Sequence, residues 1–73
     1  MEIRESGTGF EVLGPAYCEV YPTRFGALLG AFRLAARRAR FSGRAVEVRL
    51  PVAWGSEVIV TPEAAQRILD APA

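Results

Sequence analysis

The stretch TRFGALLGAFRLAARRARFSG, Thr23 to Gly43, decides the fold of this chain. Thr23 suits a helix N-cap, because its hydroxyl can take up a free amide of the first turn. The capping box is incomplete, since Gly26 stands where Glu or Gln would close it. The spacing predicts one helix from there to about Phe41, with Gly43 as a natural stop. At about 100° per residue, Phe25, Leu28, Leu29, Phe32, Ala36 and Ala39 share one face, which is expected to be core. The other face carries Ala27, Gly30, Leu34 and Phe41. Arg33, Arg37 and Arg40 flank it on one side, Arg24 and Arg38 on the other. A helix apolar on two sides is normally covered on two sides. Positive charge near a helix C-terminus also complements the helix dipole, so part of the arginine cluster has a structural reason.

On the N-terminal side, Ile3 to Leu13 reads as a hairpin around Gly7-Thr8-Gly9, and Gly14-Pro15 breaks its second arm. Ala16 to Tyr21 alternates, with Cys18 and Val20 on one side and Tyr17, Glu19 and Tyr21 on the other. Such alternation marks a half-buried strand. On the C-terminal side, Ala45 to Leu50 alternates Val46, Val48 and Leu50 against Glu47 and Arg49, until Pro51 ends the strand. A loop carrying Trp54 and a short strand from Glu57 to Val60 follow. Thr61-Pro62-Glu63 then combines N-cap, first-turn proline and first-turn acid, opening a short helix to about Asp70 anchored by Ile68 and Leu69. The expected fold is α+β over a single domain, residues 1–73, in the order β-β-β-α-β-β-α: an antiparallel sheet packed by one long helix, with a short C-terminal helix.

A chain of 73 residues buries only about 60% of the surface its unfolded form exposes, which favours help from a partner subunit. Cys18 is the only cysteine, so no internal disulfide can form, and a lone cysteine fits a reducing compartment. No basic stretch followed by an apolar run opens the sequence, and the longest apolar run, Phe25 to Phe32, is far too short to span a bilayer. A cytoplasmic location without membrane contact is expected. All nine basic residues are arginine, which a GC-rich coding sequence explains and which also suits planar recognition of carboxylates, phosphates and aromatic faces.

The residues needed for catalysis are scarce. Without histidine the usual general base and the commonest metal ligand are missing. Ser6, Ser42 and Ser56 lack a base partner, and Cys18, mid-strand, reads as a small core residue. The carboxylates are scattered singly, and Gly7-Thr8-Gly9 joins two strands instead of leading into a phosphate-binding helix. No enzyme activity, cofactor, metal or small-molecule substrate is expected.

Three arrangements would cover the second apolar face of the helix. The C-terminal helix or the Trp54 loop could fold over Leu34 and Phe41. A protein partner or a second copy could dock there, using apolar anchors inside an arginine rim, with Gly26 and Gly30 permitting close backbone approach. Nucleic acid could take the arginines as phosphate contacts and the aromatics as stacking surfaces, although a net charge of +1 counts against it. The candidate partner-binding residues are Arg33, Leu34, Arg37, Arg38, Arg40, Phe41 and Trp54. As a compact chain without catalytic residues, with one arginine-rich helix beside a sheet, the protein resembles the small inhibitors that phages and mobile elements direct against host machinery, the anti-CRISPR-like proteins among them. Its Tyr21-Pro22-Thr23 entry into an alanine-rich helix followed by strands also resembles small bacterial β-β-α-β proteins. The first resemblance implies a non-enzymatic inhibitor occluding a host protein complex, either a CRISPR effector or the transcription machinery. The alternative is a small nucleic-acid-binding protein acting through the arginine-rich helix. A protein partner or a homodimer is the primary expectation.

Overall fold

Ile3 and Val12 face each other across the first hairpin, and both are buried. In the computed structural model, which describes residues 1–70, that hairpin joins β1 (Glu2–Ser6) to β2 (Gly9–Gly14), and β3 (Tyr17–Tyr21) follows antiparallel. The long helix α1 (Arg24–Ser42) leads to β4 (Val46–Val48), a 3₁₀ turn at Val52–Trp54, β5 (Val58–Val60) and α2 (Pro62–Asp70). The architecture is α+β in the expected order. Instead of one antiparallel sheet there are two, β1-β2-β3 and β4-β5. A parallel bridge between Glu2 and Arg49 ties them together, through Ile3 N–H to the Arg49 carbonyl (2.8 Å) and Arg49 N–H to the Met1 carbonyl (2.9 Å). The parallel sense follows from the helical crossover between β3 and β4, since a hairpin can join only antiparallel neighbours.

Each strand turns one face toward the helices and one outward, because side chains alternate along a strand. Ile3, Val12, Val48 and Val60 occupy the inner face and are buried. Cys18 and Val20 point outward. Cys18 is therefore an exposed residue and not the core residue the alternation suggested. Its neighbours Tyr17 and Tyr21 take the inner face at the sheet edge, where both are half-buried.

α1 is capped as its sequence suggests. Thr23 Oγ1 accepts from Gly26 N–H at 3.0 Å, and Gly43, left-handed at φ 71°, donates its N–H to the Ala39 carbonyl at 2.8 Å. The helix is nevertheless rotated from the expected orientation. Its fully buried residues are Ala27, Ala31, Ala35, Ala36 and Ala39, whereas Phe25 is 74% exposed and Leu29 40%. Only the flank of the expected core stripe is right: Leu28 and Phe32 are half-buried, Ala36 and Ala39 buried. Small side chains let the helix lie close on the sheet, and this dense packing is what a short chain can achieve without large side chains. α2 packs along α1, burying Ala65 and half-burying Ile68 and Leu69. Thr61 Oγ1 caps it by accepting from Ala64 N–H at 3.1 Å. Two sides of α1 are thus covered, one by the sheets and one by α2. Among the described residues, no polar or charged residue is buried and no helix is long and apolar enough to cross a membrane.

This rotation has a direct test in chemical denaturation. Ala31→Leu should destabilise the fold by about 1–3 kcal/mol, as overpacked cores do, while Phe25→Ala should stay within about 0.5 kcal/mol. The opposite ranking would restore the large apolar stripe as the core face.

Candidate functional site

Six of the nine basic residues, Arg24, Arg33, Arg37, Arg38, Arg40 and Arg44, lie between Glu19 and Glu47, and no carboxylate lies in that interval. Three arginines and eight carboxylates occupy the rest of the chain. The formal charge of +1 is therefore a segment of +6 set against a remainder of −5. On the outer sheet face opposite charges meet: Arg4 pairs with Glu2 at 3.3 Å and Arg49 with Glu47 at 2.8 Å. The Arg49 guanidinium holds the Glu47 carboxyl below its ordinary range. No arginine of α1, nor Arg44 beyond it, makes such a pair among the described residues.

The C-terminal end of α1 gathers most of that charge around an aromatic side chain. Phe41 is 96% exposed. Together with Arg37, Arg38, Arg44 and Val46 it lines an open depression of about 660 Å³. Arg40 sits in the last turn, also exposed. Of the residues expected at a partner surface, Arg37, Arg38 and Phe41 are thus brought together here, while Arg40 is exposed in the same turn without lining the depression.

Arg33 and Leu34 lie one to two turns earlier and border a second depression, about 440 Å³, between α1 and the edge strand β3. Arg37 lines both hollows, which adjoin at its side chain. Tyr17, Glu19 and Tyr21 form the strand side of this groove. Sequence reading did not single them out as a site. Tyr21 takes the space that Gly26 and Gly30 leave free. A β-carbon on Gly30 would fall within 3.0 Å of Tyr21 Cε2 and closer still to its hydroxyl. The two glycines thus admit a tyrosine of the same chain, not a foreign backbone. Tyr17 Oη donates to Glu19 Oε2 at 2.7 Å and lies 3.4 Å from the Tyr21 hydroxyl. The hydrogen bond to the carboxylate, followed by the one to Tyr21, raises the Tyr17 pKa far above its usual value. Tyr17 therefore stays protonated across physiological pH and keeps donating.

Trp54 lies at the other end of the helix. Its ring packs against Phe10 (5.4 Å between centroids), and the Arg24 guanidinium stacks over it at 4.6 Å from the ring centroid. From Arg24 to Phe41 the helix advances about 26 Å, so Trp54 does not join the Phe41 cluster. It is half-buried and closes the N-terminal end of the core. Leu34, expected beside Phe41 as an open anchor, is half-buried in the groove.

Matched against protein-family models, curated proteins and solved structures, the chain finds no counterpart in any of them.

The seat of Tyr21 on Gly30 positions the groove, and a double-mutant cycle measures it. Replacing glycine by alanine inside a helix ordinarily stabilises by up to about 1 kcal/mol. Gly30→Ala should show that gain only in a Tyr21→Ala background and lose it, or reverse it, with Tyr21 present. Equal gains in both backgrounds, by urea denaturation, would mean that Tyr21 does not rest there.

Proposed function

We propose that this chain is a non-catalytic nucleic-acid-binding module that docks through the C-terminal half of α1. The supporting observation is an arginine surface along α1, unpaired among the described residues, with Phe41 exposed beside Arg37, Arg38 and Arg44. Nucleic-acid affinity comes largely from neutralising phosphates with release of counterions. A sequence-tolerant site adds an aromatic face on which a base can stack. The low net charge that counted against this reading is an average over a strongly divided molecule. Locally, the helix has the basic footprint that a phosphate backbone requires.

A second reading is the one expected first from the sequence: an inhibitor of phage type that occludes a host protein complex. The observation that favours it is Phe41, a lone, large apolar anchor within an arginine rim, the composition of an interface hot spot. Its partner would present an acidic surface.

Fluorescence anisotropy with labelled oligonucleotides separates the two. The parent should bind at low salt, and log affinity should fall linearly with log salt concentration. Arg37→Glu combined with Arg40→Glu should abolish retention. Phe41→Ala should weaken binding with an unchanged circular dichroism spectrum, because its side chain is almost wholly outside the core. A parent that retains neither DNA nor RNA at low salt rules out the nucleic-acid reading and leaves the acidic protein surface. Unfolding by Phe41→Ala would mean that this residue belongs to the core.

A further inference from the structure

The β3–α1 groove has a chemistry that phosphate binding alone does not need. Glu19 is the one carboxylate on an otherwise positive surface, lining the same hollow as Arg33 and Arg37 without pairing with either among the described residues. Its orientation is fixed by the Tyr17 hydroxyl on Oε2. An ionised carboxylate has about four acceptor positions, so that single bond leaves both oxygens able to accept more. Leu34 supplies an apolar part of the lining, and the Tyr17 and Tyr21 rings bound the strand side.

A ligand suited to these groups carries negative charge for the arginines, a flat apolar body, and N–H donors for the carboxylate. An unpaired nucleotide has all three. Among the bases, guanine presents two adjacent donors, N1–H and the N2 amino group, spaced to meet the two oxygens of one carboxylate. Adenine and cytosine place a ring acceptor beside their amino group, and thymine or uracil flank one N–H with two carbonyls. Each of these sets oxygen or nitrogen lone pairs against Glu19. Guanine's matching edge is engaged in a duplex and free only in a single strand, where recognition by base edges and aromatic rings is common.

Resting on the nucleic-acid reading above, we infer that the groove between β3 and α1 is a guanine subsite for single-stranded nucleic acid. Glu19 accepts from the base edge, Tyr17 holds Glu19 in place, and Arg33 and Arg37 take the adjoining phosphate. Between Gly30, on which Tyr21 rests, and Phe41 the helix advances about 16 Å. One strand can therefore run from the guanine subsite past Arg37 to the aromatic platform at Phe41. Glu19 sets preference, and the arginines with Phe41 set affinity.

The test compares a labelled all-thymidine octamer with octamers carrying one central guanosine or one central inosine, which keeps N1–H but lacks the amino group. The parent should bind the guanosine octamer about tenfold more tightly than the thymidine octamer, the range of a bidentate base contact, with inosine between them. In Glu19→Gln the guanosine-to-thymidine ratio should collapse toward one. Tyr17→Phe should lower the ratio by releasing the carboxylate. Equal affinities for guanosine and thymidine octamers in the parent would overturn the subsite and leave the proposed function standing. Undiminished preference in Glu19→Gln would also overturn it. Absence of binding to all three octamers would remove the nucleic-acid reading, and the subsite with it.

Discussion

Four alanines one helical turn apart, Ala27, Ala31, Ala35 and Ala39, set how closely α1 can lie against the sheets. All four have no exposed surface, and each contributes only a methyl group to the packed side of the helix. Alanines fill the fully buried positions of the helix, and its bulky and charged residues lie on its flanks and outer side. Phe25, Leu29, Phe41 and the arginines stand outside. α2 closes one flank of the helix, and Tyr21 enters the other by occupying the space over Gly30. Core and candidate site are thus two sides of one packing decision.

That arrangement has an electrostatic cost which the fold does not relieve. Arg33 and Arg37 are four residues apart on α1, and like charges at that spacing destabilise a helix by about 0.2–0.5 kcal/mol. Arg37, Arg38 and Arg40 follow closely with no carboxylate among them. The helix dipole offsets part of this repulsion at the C-terminal turn. Two arginines on the outer sheet face, by contrast, each meet a glutamate. The arginines of α1 stay without an ion pair among the described residues, and a polyanion laid along them would remove the repulsion instead of adding a new requirement.

Much of the fold was legible because its signals are local. Thr23 and Gly43 bracket the long helix, Thr61-Pro62 opens the short one, Gly7-Thr8-Gly9 marks the hairpin, and alternation over Ala16 to Tyr21 and around Val48 marks strands. The rotation of α1 was not legible from apolar periodicity, which ranks Phe and Leu above alanine as core residues. Size mattered more than hydrophobicity here: every fully buried position of α1 is an alanine. The same bias placed Cys18 in the core and left the inner-facing tyrosines undecided. Within the candidate site, Arg37, Arg38, Arg40 and Phe41 were readable from the helix end itself, whereas Tyr17, Glu19 and Tyr21 come to α1 only through the sheet register. Trp54 was drawn into the site by its loop position, but it packs on Phe10 and under Arg24. One signal was present in the sequence throughout, the run from Val20 to Val46 without a single acid, and averaging the charge over the whole chain conceals it.

The most direct test of the account is a two-dimensional NMR titration of the folded chain with a short single-stranded oligonucleotide at low salt. Amide shifts should concentrate from Arg33 to Arg44 and along Tyr17 to Tyr21, with Glu11, Glu47 and Ile59 on the outer sheet face unmoved. Shifts centred on that outer face, or no shifts anywhere, would contradict it.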